Sequence, residues 1–221
     1  MKVGESLSFT QLKKKQVVDK DGVTVGKNLI DVVFSPSLVM SHLIAGGGFL
    51  EETLEKVRLK DDIDPIFSFK HHIAEIKKNI KLTVKKDDVP ALLKGIGIPE
   101  GHVKLSELSK MDVIDKNGVK IGNVIDVAFF KGDDDCMSFV IGGSFLEEFL
   151  EKVKLIPDVD ILVPSQNITG VKDNKITLDL SREELKTTVQ EDNMKGADLK
   201  KANFQDYRMK VALINHQSLL K

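Results

Sequence analysis

Two stretches of this chain repeat one another at a fixed spacing, and that repeat constrains the fold more than any other feature. Val17-Val18-Asp19-Lys20-Asp21-Gly22-Val23-Thr24-Val25-Gly26 returns as Val113-Ile114-Asp115-Lys116-Asn117-Gly118-Val119-Lys120-Ile121-Gly122. The offset is 96 and six of the ten positions are identical. Ile30-Asp31-Val32 then matches Ile125-Asp126-Val127 after a slip of one residue. Residues 49–59 meet residues 145–155 at offset 96 again, with nine of eleven positions identical. Matches separated by slips inside turns imply duplication of a folded unit.

Each copy reads as β-rich. Asp21-Gly22 and Asn117-Gly118 lie between β-branched runs, and such dipeptides tolerate the positive φ of a two-residue hairpin turn. Strands are predicted over 25–34 and 121–130, then over 39–44 and 136–141, the latter two ending in glycines. The period then changes: Phe145, Leu146, Phe149, Leu150 and Val153 make one apolar face of an amphipathic helix. Two further strands are expected, one at 159–163 and one at 176–180 beyond a turn at Asp173-Asn174. Ser181-Arg182-Glu183-Glu184 is a capping-box pattern that starts a helix. Five or six short strands and one inserted helix in so short a span predict a mainly β fold, two small barrels in tandem. Closure would remove the unpaired edges that make small sheets prone to association.

The pattern Val-Ile-Asp-x-x-Gly-x-x-Ile-Gly-x-Val-Ile-Asp-Val from Val113 to Val127 resembles the PRC-barrel family, as does the later Val163-Pro164-Ser165-Gln166-Asn167-Ile168-Thr169-Gly170-Val171-Lys172. The family includes the reaction-centre H subunit, the C-terminal domain of the ribosome maturation factor RimM, and many small archaeal proteins, whose helix the Phe-Leu-Glu-Glu segments resemble. Copy one departs from the pattern after Asp64, where Pro65-Ile66-Phe67-Ser68-Phe69-Lys70-His71-His72 stands. The resemblance implies two PRC-like barrels, at residues 1–86 and 106–188. It further implies a non-enzymatic protein-binding adaptor, with a cell-division accessory acting with SepF and the FtsZ ring as the specific candidate. Ribosome association through a ribosomal protein is the alternative, and two similar barrel surfaces also suit homo-oligomers.

Two segments lie outside the repeat. The linker, residues 87–105, carries Pro90, Gly95, Gly97, Pro99 and Gly101 around Ala91-Leu92-Leu93, which predicts one short helix and a turn-rich connection. The tail, residues 189–221, begins polar and then turns apolar. Two readings stay open for it: a lid over its own barrel, or a partner-binding arm using Phe204, Tyr207, Met209, Val211, Leu213 and Ile214.

Nothing in the pattern points to catalysis, a cofactor or a metal. His71-His72 has no second cluster nearby in sequence and reads as surface histidines. Asp133-Asp134-Asp135 lacks the spaced oxygens of a calcium loop and reads as a solvated turn. Asp62, Asp64, Asp158 and Asp160 recur between copies without a base or nucleophile beside them, and alternation assigns them to a solvent face. Cys136, the single cysteine, reads as a core or partly buried thiol, which excludes an intrachain disulfide framework. The glycines before the helices precede Glu51-Glu52 and Glu147-Glu148, and carboxylates in a first turn repel phosphate. A net charge of −1, one tyrosine and no tryptophan argue against nucleic-acid binding. Lys13-Lys14-Lys15, Lys77-Lys78 and Lys85-Lys86 leave room for no more than a weak rRNA contact. No apolar run approaches the length of a membrane span and the N-terminus has no secretory pattern, so the expected location is cytoplasmic, with recruitment to a division site as an extension.

Overall fold

The computed structural model describes residues 2–46, 65–93, 97–133, 137–143, 159–191, 197–201 and 211–220. The inserted helices predicted within 49–59 and 145–155 lie outside these residues, as do Cys136, Asp62, Asp64 and Asp158. In chain order the strands begin with β1 (Lys2–Val3), β2 (Leu7–Ser8), β3 (Val17–Val18), β4 (Thr24–Gly26), β5 (Asn28–Phe34) and β6 (Met40–Gly46). They continue with β7 (Ile66–Ser68), β8 (Ile73–Ile76), β9 (Ile80–Leu82), β10 (Val103–Lys104), β11 (Asp112–Ile114) and β12 (Lys120–Phe129). The last are β13 (Gly132–Asp133), β14 (Met137–Gly142), β15 (Val159–Pro164), β16 (Ile168–Lys172), β17 (Lys175–Leu178) and β18 (Ala212–Asn215). The protein is mainly β with short helices.

The chain divides into two units that interleave along the sequence. Unit 1 takes Met1–Glu5, Gln11–Leu105 and Gly132–Asp135; unit 2 takes Ser6–Thr10, Ser106–Lys131 and Cys136–Lys221. The short strand that precedes each repeated segment belongs to the other repeat's unit. In unit 2, β2 pairs with β12, Ser8 opposite Ala128 and Leu7 opposite Phe129. In unit 1, β10 pairs with β5, Lys104 opposite Val33 and Val103 opposite Phe34. The two pairings use equivalent residues, so the exchange is reciprocal. Asp133, the first residue of the run expected as a solvated turn, lies with Gly132 in β13, which pairs with β1 in unit 1.

Within each unit the repeat sets the same strand pairing. β3 runs antiparallel to β4 and parallel to β9, and β11 runs antiparallel to β12 and parallel to β17. The glycine turns differ from the two-residue form expected of them. The Asp19 N–H bonds the Val23 carbonyl at 2.8 Å and the Gly22 N–H bonds the Asp19 carbonyl at 3.1 Å. Only Gly22 in this loop, and Gly118 in its counterpart, takes a positive φ (90° and 82°). These are three-residue loops with glycine in the left-handed position. The two-residue turn occurs at Asp173-Asn174, where both residues have positive φ (51° and 60°) and Lys172 pairs with Lys175.

The one-residue slip has a structural result. Copy one carries an extra residue between Gly26 and Ile30, and its strand is interrupted at Lys27 into β4 and β5. Unit 1 therefore holds two sheets, β13-β1-β8-β9-β3-β4 and β10-β5-β6-β7. In unit 2 the same stretch is the unbroken β12, and one sheet runs β16-β17-β11-β12-β14-β15-β18.

The tail decides how the unit 2 sheet ends. β18 pairs antiparallel with β15, from Val159 opposite Asn215 to Leu162 opposite Ala212. Ala197 then covers the far edge of β18 through bonds to Leu213 and Asn215 at 2.8 and 2.9 Å. Leu199, Ile214 and Leu219 join Ala128, Phe130, Val140 and Leu162 in one buried cluster. Each buried leucine, isoleucine, valine or phenylalanine side chain there contributes about 1.5–3 kcal/mol by leaving water. In unit 1, Val33, Ile44 and Ile66 form a buried cluster with Ile98 packed against it.

Candidate interaction surface

Each repeat holds an aspartate whose environment is fully spoken for by structure. Asp19 Oδ1 accepts the Asp21 and Val23 N–H groups at 2.9 and 2.8 Å, and its Oδ2 accepts the Lys86 N–H at 2.9 Å. Asp115 does the same with Asn117, Val119 and Arg182, at 2.8, 2.8 and 2.9 Å. Burial pushes both carboxyls up, but the backbone donors outweigh it and hold them below the usual range. Their task is to tie the glycine loop to the end of the repeat. The predicted capping box forms as well: Glu184 N–H donates to Ser181 Oγ at 3.2 Å, and Ser181 N–H donates to Glu184 Oε2 at 2.6 Å. The Lys116 ammonium first, and Ser181 second, bring the Glu184 carboxyl down to about 2.

A second aspartate, next to the slip, marks a different kind of place. β12 shifts register between Val124 and Asp126, and β5 shifts between Leu29 and Asp31. Each is a β-bulge, which turns one residue out of the ladder and resets the alternation of faces. The residues turned out are Ile30 and Ile125, at 40% and 44% exposure; the residues turned in are Asp31 and Asp126, at 5% and 4%. A carboxylate inside beside an isoleucine outside inverts what hydrophobicity dictates. Asp126 is held there by the Val127 N–H at 2.7 Å and by the Thr10 N–H at 3.3 and 3.4 Å to its two oxygens. Burial pushes its carboxyl up, and these bonds offset only part of that. Asp31 accepts the Val32 N–H at 2.9 Å.

Both bulges lean on a glycine. A Cβ on Gly46 would come within 2.5 Å of Ile30, and a Cβ on Gly142 would come within 3.0 Å of Ile125. The glycines, also equivalent between copies, leave room for each isoleucine to lie across the neighbouring strand. The glycine loops add a second apolar residue to each copy, Val23 at 47% and Val119 at 41% exposure. Among the described residues these four make up most of the large exposed apolar side chains, with Val39 and Leu220. Single exposed apolar residues are ordinary on protein surfaces. The same two at equivalent positions of both copies are less so.

The tail residues predicted to bind a partner fare differently. Val211, Leu213 and Ile214 are buried in unit 2. Phe204, Tyr207 and Met209 lie outside the described residues. Asp160, expected on a solvent face, is buried and accepts His216 Nδ1 at 2.6 Å, because β18 brings the tail alongside β15. His71 and His72 occupy a helical turn, Phe69–His72. His71 is exposed, whereas His72 is half-buried and accepts the Ser68 N–H on Nδ1 at 3.0 Å. Among the described residues no helix is long and apolar enough to cross a membrane.

Residues 100–185 match the PRC-barrel domain family. The match takes in β10 to β17 and the start of the capped helix, and stops short of β18. No curated protein matches the chain.

Proposed function

We propose that this chain is a non-enzymatic adaptor built from two PRC-type modules, each offering a partner the same surface around its bulged isoleucine. A PRC-barrel domain fits a protein-interaction role, and such domains are generally non-catalytic. One observation carries the reading: in both copies an isoleucine faces solvent while the next residue, an aspartate, is buried. A fold seeking only stability would gain from the opposite arrangement. Two like surfaces on one chain let a single molecule hold two copies of one partner, which raises avidity without new contacts.

The specific candidate is a cell-division accessory that acts with SepF and the FtsZ ring at the division site. Its support is the resemblance of Val113–Val127 and of the Phe-Leu-Glu-Glu segments to archaeal PRC-barrel proteins. Affinity capture from native cells tests it, comparing the unaltered chain with Ile30→Glu and Ile125→Glu variants. Division proteins in the eluate, halved by either substitution and lost with both, are the expected result. Ribosomal subunits in their place would move the assignment to ribosome association. Capture indifferent to both substitutions would remove the bulged isoleucines from the interface.

A further inference from the structure

Unit 1 holds four of the chain's five histidines, and three of these come from separate stretches of sequence. His42 comes from β6, His72 from the turn Phe69–His72, and His102 from the residue before β10. All three are half-buried, neither sealed off nor fully in solvent. The His42 and His102 rings meet edge to face, with centroids 6.1 Å apart and planes at 68°.

The hydrogen bonds fix where the protons lie. Ser41 Oγ donates its only proton to the Val33 carbonyl at 3.0 Å. It must therefore accept from His42 Nδ1, 3.0 Å away. His102 Nδ1 faces the Glu100 carbonyl at 3.2 Å, and a carbonyl can only accept. Both neutral rings thus carry their lone pair on Nε2. An imidazole held by its Nδ1–H on an oxygen, with Nε2 free, is the form that ligates metals. His72 has the reverse tautomer, since its Nδ1 accepts the Ser68 N–H and its proton stays on Nε2. It is a donor and not a ligand.

We propose that His42 and His102 form a two-imidazole site for a divalent transition-metal ion such as Zn2+, bound through both Nε2 atoms. Two imidazoles on one tetrahedral zinc, with bonds of about 2.0–2.1 Å, have ring centroids about 5 Å apart. The observed centroids, 6.1 Å apart, lie within about 1 Å of that separation. Among the described residues no group of three or more His, Cys, Asp or Glu could hold a metal. Metal affinity falls as pH drops, because protons compete with the ion for the imidazole nitrogens. The site belongs to unit 1 alone: His42 pairs with Val33 and Ser68, and the residue in the same pairing in unit 2 is Ser138, between Ala128 and Pro164.

The test uses the full chain and Zn2+ alone, by calorimetry together with imidazole nitrogen NMR. One ion per chain is expected, shifting the Nε2 resonances of His42 and His102 and leaving those of His71 and His216 in place. His42→Gln and His102→Gln should each weaken binding at least about tenfold, with His71→Gln unchanged. His102 precedes a two-residue strand, so His102→Gln decides the matter if His42→Gln disturbs the sheet. No saturable binding, or binding that survives His102→Gln, overturns the proposal.

Discussion

The two units start from one repeat and solve the end of the sheet differently. In unit 2, β15 is covered by β18 and β18 by Ala197, all supplied by the tail. In unit 1, β7 is the last strand of its sheet among the described residues. Unit 2 spent its unique sequence on closing an edge and filling a core, which is how small sheets avoid edge-to-edge pairing. Unit 1 has no such tail and carries histidines near the corresponding strands. The comparison teaches that the repeated sequence goes with the shared interior pairing, and that sequence outside it sets what each unit does at its margin.

The largest predicted effect attacks that difference directly. Ile214→Ala removes a fully buried side chain shared by the tail and the sheet. A loss of about 2–5 kcal/mol is expected, the usual cost of such a cavity. Hydrogen exchange should show the loss in unit 2 amides and leave β5, β6 and β9 protected as before. Equal loosening of both units would mean that they unfold as one.

Next come two glycines at the same repeat position. A Cβ on Gly122 would collide with the Gly142 carbonyl and stand 3.0 Å from its carbon, and backbone cannot rotate away. Gly122→Ala should cost about 1–3 kcal/mol. At Gly26 the nearest atoms are the Ala45 and Val17 Cβ atoms at 3.5 and 3.6 Å, ordinary contact distances. Gly26→Ala should range from neutral to a gain of about 1 kcal/mol through a stiffer unfolded chain. Chemical denaturation of the two variants reads the difference. Equal costs would mean that the strand break at Lys27 has not relaxed the crossing.

Much of this was legible in the sequence, and the failures have physical causes. The repeat, the capping box at Ser181–Glu184 and the turn at Asp173-Asn174 follow from local chemistry, and they form. Even the slip beside Gly26 was visible, since one added residue must break a strand or flip its faces. The reciprocal exchange of β2 and β10 was not, because a two-residue strand has the same local preferences whichever sheet receives it. Nor was the bulge legible: period-two alternation cannot say where an extra residue leaves the ladder. The tail defeated periodicity because β18 is buried on both faces, and so it shows no alternation to read. His42 and His102 went unnoticed because only folding brings residues 60 positions apart into contact.

A smaller effect asks whether the loops of the two copies remain equivalent. Asp19→Asn and Asp115→Asn each turn an amide NH2 toward backbone donors that now meet a carboxylate oxygen. Both should lower the melting temperature near neutral pH, by similar amounts. The folded carboxyls lie below the ordinary value of about 3.9, so their stabilisation is present above that pH and is lost as pH falls through the folded value. Each substitution should therefore flatten the acid side of the stability profile. Unequal responses would show that one loop has taken on other work.

The smallest effect is the most informative about function. Ile30→Ser and Ile125→Ser remove exposed side chains that lie over glycines. If those isoleucines serve the fold, each substitution should cost what a half-buried aliphatic side chain costs, about 1 kcal/mol or more. If they serve a partner, stability should change by no more than about 0.5 kcal/mol, as at other surface sites. Thermal unfolding of both variants beside the unaltered chain distinguishes the two cases. The bulge favours the second, because the ladder bonds and the buried Asp31 and Asp126 carboxylates keep their geometry whichever side chain points outward. Near-zero cost in both units, with partner capture reduced, would locate function in the one surface that the copies still share.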